Sequence, residues 1–108
     1  MNISQIKYVL EVANSSSIRE AATRLYISQP ALSASIKELE DELGILIFER
    51  TNKGIYLTDE GREFVSYAKK VASQYEIMVK YALFLSVLFA VWRALPEFLL
   101  IKDTEPSS

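Results

Sequence analysis

The chain begins with apolar residues that recur every three or four positions. Over the first 14 residues these positions are Ile3, Ile6, Val9, Leu10 and Ala13. This spacing places side chains on one face of an α-helix. Asn2, with Gln5 three residues later, has the form of a capping box at a helix start. We therefore predict a first helix over residues 3–14.

A second helix is predicted from Ile18. Ser17 and Glu20 match the capping box S-x-x-E, in which each side chain satisfies an amide at the helix start. Ala21 and Ala22 lie on the apolar face, and their small side chains allow a neighbouring helix to approach closely.

A third helix is predicted from Gln29, after a turn of about three residues. Ser28 is a favourable N-cap, and Pro30 falls in the first turn, where its missing amide hydrogen is not needed. Gly44 suits the left-handed residue that commonly ends a helix. The buried stripe consists of Leu32, Ile36, Leu39 and Leu43. Helices two and three then form a helix-turn-helix, a motif that places its second helix in the major groove of DNA.

After Gly44 the apolar period changes to two. The alternating residues are Leu46, Phe48, Ile55 and Leu57. Turn-forming residues fill positions 51–54, so we predict a small β-hairpin. Thr58 is expected to cap a fourth helix, with Asp59 and Glu60 in its first turn, where the helix dipole favours acids.

The fourth helix carries a seam with alternating steps of four and three, typical of a coiled coil. We predict that two copies pair through Phe64, Ala68, Val71, Tyr75, Met78, Ala82, Leu85 and Phe89. Packing of this seam onto its own domain is the alternative. A helix rising 1.5 Å per residue would extend well past so small a domain, which favours a homodimer or a higher oligomer. Pro96 is expected to end the helix.

Residues 81–92 are apolar on every face of this helix, so they must be buried on several sides or face lipid. Lys80 and Arg93 bound the run, and a membrane span needs about 20 residues. We do not expect this shorter run to span a membrane.

These elements give a mainly α fold in which a three-helix bundle with a hairpin precedes one long helix. We divide the chain into a DNA-binding domain at residues 1–58, a linker and dimerisation helix at residues 59–95, and a tail at residues 96–108.

The net charge of −2 is unusual for a protein that binds nucleic acid. The acids at positions 38, 40, 41 and 42 are grouped toward the end of helix three, which we expect to point away from DNA. The exposed face at the other end is nearly uncharged and is formed by Pro30, Ser33, Ala34 and Lys37. Gln29 nearby carries the donor and acceptor needed to read adenine.

Several classes of protein are disfavoured by composition. The sequence has no Cys and no His, which excludes disulfides, thiolate or imidazole metal ligands, and Cys- or His-based catalysis. A carboxylate pair such as Glu60 and Glu63 is more typical of a helix start than of an active site. We expect neither an enzyme nor a cofactor. The N-terminus lacks the features of a signal peptide, so a cytoplasmic location is expected.

Four segments closely resemble the DNA-binding half of LysR-type transcriptional regulators. They are SQPALS at residues 28–33, IKELE at residues 36–40, DELG at residues 41–44 and FERT at residues 48–51. Helix one, the paired alanines of helix two and LTDEG at residues 57–61 match as well. The resemblance covers residues 1 to about 80.

The resemblance implies a winged helix-turn-helix that binds double-stranded operator DNA as a homodimer. Its recognition helix starts at Gln29, its wing spans residues 46–57, and the linker helix dimerises it. Gln29, Pro30 and Ser33 match positions that touch bases or nearby backbone, and Arg50 matches the wing arginine that reaches phosphate or the minor groove. Ala34 stands where arginine is common, so Lys37 would supply the remaining positive charge.

The candidate DNA-binding residues are Ser28, Gln29, Pro30, Ser33, Ala34, Lys37, Arg50, Thr51 and Lys53. For Arg50, Thr51 and Lys53 a solvated hairpin tip is the alternative, because charged turns are common on protein surfaces.

Members of that family continue into a two-lobed domain that binds a small inducer, which these 108 residues cannot form. We expect no inducer binding in this chain. The resemblance is lost beyond Lys80, and a truncated chain, a frameshifted gene end or a natural short variant would each explain that. The competing hypothesis is an interaction module whose apolar helix binds a partner or a membrane and whose DNA-binding head is vestigial.

Overall fold

The computed structural model describes residues 1–103, with side chains to residue 100. Its elements in chain order are α1 (Ile3–Ala13), α2 (Ile18–Leu25), α3 (Gln29–Leu43), β1 (Phe48–Thr51), β2 (Gly54–Leu57) and α4 (Asp59–Asp103). The strands form a two-stranded antiparallel sheet. The predicted winged-helix fold with a long C-terminal helix is confirmed.

Side-chain caps fix the starts of the first two helices. At α1 the box is reciprocal: the Asn2 side chain accepts from the Gln5 amide at 2.8 Å, and the Gln5 side chain accepts from the Asn2 amide at 3.0 Å. At α2 the Ser17 hydroxyl accepts from the Glu20 amide at 3.1 Å. The reciprocal half predicted there is wrong, because the Glu20 carboxylate instead binds both the amide and the hydroxyl of Ser16.

The turn into α3 is tight. Tyr26 caps the end of α2 in the left-handed region, with φ of 58°, and its side chain is 95% exposed. The Ser28 hydroxyl accepts from the Ala31 amide at 3.2 Å, and α3 ends at Gly44 with φ of 70°. Both predicted caps of α3 are confirmed.

The core lies where α1, α2 and α3 meet the base of the hairpin and the start of α4. Its buried cluster consists of Val9, Val12, Ala21, Ala22, Leu32, Ile36, Leu39, Ile47, Phe48 and Val65. Among the residues whose side chains are described, Gln5 is the buried polar one, and its amide donates to the Ser35 carbonyl oxygen at 3.4 Å. The apolar back of α3 is therefore held against its neighbours, which leaves the opposite face outward.

We predicted that the fourth helix ends at Pro96. This is wrong, because the helix continues to Asp103. Proline removes one backbone hydrogen bond but fixes φ near −65°, a helical value. The residues after it, including Glu97, Leu99 and Leu100, are good helix formers, so the helix resumes. Contacts divide the chain into residues 1–73 and residues from 74 onward, and this division falls inside α4.

The structure corrects the first part of the predicted dimer seam. Ala68 is only 3% exposed, and Phe64 packs against the core of the head. The predicted dimer contact is therefore wrong for Ala68. The Phe64 side chain is largely in contact with the head instead, because the first turns of α4 complete this small core. Tyr75 is half-buried, and the exposed members of the seam are Val71, Met78, Ala82, Leu85 and Phe89.

Every side chain from residue 81 to residue 100 is exposed. An 18-residue window within Asp59–Leu100 has a mean hydropathy of 1.8, and none of it is buried. By length and composition alone this helix could cross a membrane.

Candidate nucleic-acid interface

The start of α3 presents a neutral, solvent-facing surface. Ser28, Gln29 and Pro30 are exposed, as are Ala34 and Lys37 one and two turns later. Ser33 is half-buried. Because the apolar stripe of α3 faces the core, these side chains face outward.

An open groove lies between this face of α3 and the first strand of the hairpin. Its lining residues are Ser33, Ala34, Lys37, Glu40, Asp41, Leu46, Phe48 and Arg50. The Nη2 atom of Arg50 donates a hydrogen bond to the Ser33 hydroxyl at 3.3 Å. Four candidate DNA-binding residues are thus brought together, three on α3 (Ser33, Ala34 and Lys37) and one, Arg50, on β1.

The remaining candidates lie outside this groove. Ser28, Gln29 and Pro30 occupy the first turn of α3, while Thr51 and Lys53 lie at the hairpin turn. The Thr51 hydroxyl accepts from the Lys53 amide at 3.2 Å and donates to the Gly54 carbonyl oxygen at 3.4 Å. These bonds explain Thr51 as a turn residue, whereas the exposed Lys53 side chain is available to a ligand.

The cations at the groove and hairpin differ from other cations of the head. Arg24 pairs with Glu11 and Glu20, and Arg62 pairs with Asp59. Among the side chains that the structure describes, no ion pair involves Lys37, Arg50 or Lys53. These three cations therefore have no direct ion-pair partner among those side chains, and phosphate oxygens are the partners that such cations prefer in nucleic acids.

We expected the acidic residues of α3 to point away from this surface, but two of them do not. Glu40 and Asp41 line the groove. Glu40 accepts hydrogen bonds from the backbone amides of Ile47 and Phe48, and Glu42 pairs with the N-terminal ammonium group. Two of the four acids thus have structural partners, while Glu40 and Asp41 place negative charge beside the candidate DNA-binding residues.

Sequence reasoning missed the residues that hold the base of the hairpin. Besides Glu40, these are Thr58, whose hydroxyl donates to the Leu46 carbonyl oxygen at 2.5 Å, and Gly61, which lies against Ile47. Thr58 was predicted only as a helix cap, a role it also has, since its hydroxyl accepts from the Gly61 amide at 2.9 Å. A glycine in a first helical turn could have indicated a close approach of backbone. No local signal marked Glu40.

Comparison with known proteins agrees with this geometry. YxjO of Bacillus subtilis, an uncharacterized HTH-type transcriptional regulator, is 41% identical over 76 residues, which are 70% of this chain and 26% of that protein. The chain spans about a quarter of the length of the curated relatives it matches.

Two solved structures show the same fold. The CbnR_DBD–DNA complex matches with a TM-score of 0.74 and 30% identity, covering 80% of this chain and 99% of that one. The complex of BenM_DBD with catB site 1 DNA matches with a TM-score of 0.76 and 36% identity, covering 81% and 94%. The family profile of bacterial regulatory helix-turn-helix proteins of the lysR family matches residues 3–62. The chain therefore belongs to the lysR family of bacterial regulatory helix-turn-helix proteins.

Proposed function

We propose that this chain is a transcription regulator domain that binds double-stranded operator DNA as a homodimer in the cytoplasm. The first turns of α3 enter the major groove, where Gln29 and Ser33 reach base edges, and Lys37, Arg50 and Lys53 contact phosphates. It acts without catalysis or cofactor.

The observation that carries this proposal is that the start of α3 is neutral and exposed, and that cations without an ion-pair partner lie beside it. Ser28, Gln29 and Pro30 are exposed and uncharged, and Arg50 is joined to α3 through Ser33. A neutral tip can enter a groove without repelling or being held by phosphates, while the flanking cations bind the backbone. The similarity to DNA-binding domains solved on DNA supports the same assignment.

The dimer follows from the exposed apolar positions of α4. Met78, Leu85 and Phe89 are 58%, 45% and 59% exposed, and with Ala82 they recur at the spacing of a coiled-coil seam. A second copy would cover these side chains. The two DNA-binding heads, joined by the paired α4 helices, then bind two half-sites, so the symmetry of the operator mirrors that of the protein.

An electrophoretic shift with fragments of genomic DNA tests the binding proposal. We expect discrete complexes with a subset of fragments that survive competition by random-sequence duplex. Absence of any retardation at low salt would refute it, because even non-specific binding is strong there.

Sedimentation of a seam variant tests the dimer. Met78→Asp should convert the dimer to a monomer and weaken DNA binding, since it places a charge in an apolar contact. Ile77→Asp is the matched control, because Ile77 has nearly the same exposure, 56%, but lies off the seam. Equal effects of both substitutions would contradict pairing through this seam.

A second candidate function is favoured by one observation, the exposure of every side chain at positions 81–100. A two-stranded coiled coil covers one stripe of a helix, so apolar side chains on its other faces stay in water. The candidate is an interaction module that binds a partner or membrane through this segment, with a vestigial head. Retention by detergent or liposomes without any shift of DNA would favour it over the first proposal.

A further inference from the structure

A carboxylate on the recognition helix holds the first residues of the wing. Glu40 lies near the end of α3, and its Oε2 atom accepts hydrogen bonds from the backbone amides of Ile47 at 2.8 Å and Phe48 at 3.3 Å. Both bonds are part-buried and span seven and eight residues along the chain. One side chain therefore joins α3 directly to the backbone that leads into β1.

These two amides need a partner at this place. Ile47 is fully buried and Phe48 is 8% exposed. The Ile47 carbonyl oxygen accepts from the Thr58 amide at 3.0 Å, and Phe48 lies opposite Leu57 in the sheet. Hydrogen-bonded and non-hydrogen-bonded pairs alternate along antiparallel strands. Because Ile47 and Thr58 are joined by a hydrogen bond, the Phe48 amide in the next pair points away from the second strand. A buried amide without a partner is destabilising, and hydrogen bonds to an ionised acceptor are the stronger ones.

The carbonyl side of the same segment is held by the start of α4. The Thr58 hydroxyl donates to the carbonyl oxygens of Leu46 at 2.5 Å and Ile47 at 3.3 Å. The amides of Ile47 and Phe48 thus bind α3, and the carbonyls of Leu46 and Ile47 bind the residue that caps α4. Glu40 thus supplies hydrogen bonds between α3 and the base of the wing, in addition to the Arg50–Ser33 bond and the core packing of Phe48.

We propose that Glu40 is a positioning residue for DNA binding, which fixes Arg50 in the wing relative to Ser33 on α3. Arg50 follows Phe48 by two residues, and Ser33 precedes Glu40 by seven residues, about two turns on the same helix face. The Arg50–Ser33 hydrogen bond of 3.3 Å spans the groove between these two anchored points. The inference rests on the proposed function, because it assigns Glu40 a role in binding the same DNA.

The sign of the effect separates this role from simple electrostatics. Glu40 and Asp41 both line the groove with Arg50. A negative charge there repels phosphates, so removing it should tighten DNA binding if charge alone matters. Loss of a positioning contact should weaken binding instead. Asp41 makes no hydrogen bond or ion pair among the described side chains, which makes it the matched control.

The experiment measures DNA affinity for the full chain and its variants Glu40→Ala, Glu40→Gln and Asp41→Asn. The probes are a duplex selected from a random library by the unmodified protein and a random-sequence duplex. We expect Glu40→Ala to weaken binding to the selected duplex by about tenfold or more. Glu40→Gln, which keeps an acceptor oxygen, should lose less, and Asp41→Asn should bind equally or more tightly. Glu40→Ala or Glu40→Gln binding as tightly as Asp41→Asn would overturn the proposal.

Amide hydrogen exchange of Ile47 and Phe48 supplies a readout without DNA. Both amides should exchange faster in Glu40→Gln than in the unmodified protein, and faster still in Glu40→Ala, while Asp41→Asn leaves them unchanged. If the unmodified protein binds no DNA, the proposed function fails, and unchanged exchange in the Glu40 variants would then separately exclude Glu40 as the anchor of the wing. Should Glu40→Ala fail to fold, Glu40→Gln decides the question alone.

Discussion

A Cβ atom at Gly61 would lie 2.0 Å from the carbonyl oxygen of Ile47 and 2.9 Å from its carbonyl carbon. Gly61 is in the first turns of α4, and Ile47 is the fully buried residue that precedes the wing. The contact is between backbone atoms, which cannot rotate away as a flexible side chain can. The first turn of α4 and the base of the wing therefore fit together only when residue 61 has no side chain.

Gly61→Ala should lower the free energy of unfolding by about 1–3 kcal/mol, because the added methyl group forces the two backbones apart. The higher helix propensity of alanine, worth about 1 kcal/mol, opposes this loss only in part. Urea unfolding followed by circular dichroism measures it. Ser66→Ala on the same helix is the control and should change stability by less than about 0.5 kcal/mol. A stabilised Gly61→Ala protein would show that the contact is not tight.

The hydrogen bonds that Ser16 donates to Glu20 predict an acid-sensitive step in stability. The hydroxyl of Ser16, then its backbone amide, and the charge of Arg24 lower the pKa of Glu20 below the ordinary value of 4.5, while burial opposes them. A carboxyl whose pKa is lowered on folding stabilises the protein above its unfolded pKa. That stability is lost as pH falls below about 4.5 and through the folded value. Glu20→Gln should therefore lose less stability than the unmodified protein between pH 5 and pH 3, both taken as approximate limits.

Unfolding curves across this pH range check the difference, and a carboxyl titration by NMR checks its cause. Ser16→Ala removes the largest contribution but keeps the backbone amide, so the pKa of Glu20 should rise toward 4.5 without reaching it. The same acid dependence in Glu20→Gln and the unmodified protein would contradict this origin.

The helices and the hairpin were predictable because local signals agreed with one another. Ser28, Pro30 and Gly44 mark the start and end of α3 by their own chemistry, and each lies where the sequence placed it. Pro96 misled because a proline signal describes a tendency to end a helix, whereas the residues on both sides favour its continuation. Local rules thus predict helix starts better than the far end of a long helix.

The candidate interface was only partly accessible from the sequence. The exposure of Gln29 and Lys37 follows from the helical spacing of the apolar residues of α3, which can be read directly from the sequence. The bond between Arg50 and Ser33 joins residues 17 positions apart, and the bonds of Glu40 reach across the turn into the wing. Contacts between separate elements depend on how those elements pack, which a single sequence does not encode in any local pattern.

Arg50→Ala should reduce the salt dependence of DNA binding. Arg50 has no acidic partner among the described side chains, so its charge is available to displace counterions from a phosphate. The slope of log K against log salt should fall by about 1, with similar loss on selected and random duplex. Fluorescence anisotropy at several salt concentrations measures this slope.

Arg50→Lys separates the charge of Arg50 from its bond to Ser33. It keeps the cation, so the salt slope should stay near that of the unmodified protein, while loss of the planar guanidinium weakens the link to α3. Lys70→Ala removes a cation that lies over the ring of Tyr67 and is not part of the groove between α3 and β1, and should leave the slope unchanged. An unchanged slope in Arg50→Ala would exclude the phosphate contact.

Gln29→Ala should separate base readout from backbone binding. Gln29 is exposed in the first turn of α3, and its side-chain amide can pair with the donor and acceptor edge of adenine. Losing one such pair costs about 1–3 kcal/mol on the cognate site and little on random DNA, which presents no matched base. Anisotropy titrations with the selected and random duplexes measure both affinities, and Gln74→Ala, which removes an exposed amide from α4, should alter neither. Equal losses on the two duplexes would mean that Gln29 contacts the DNA backbone, since only a base contact can distinguish them.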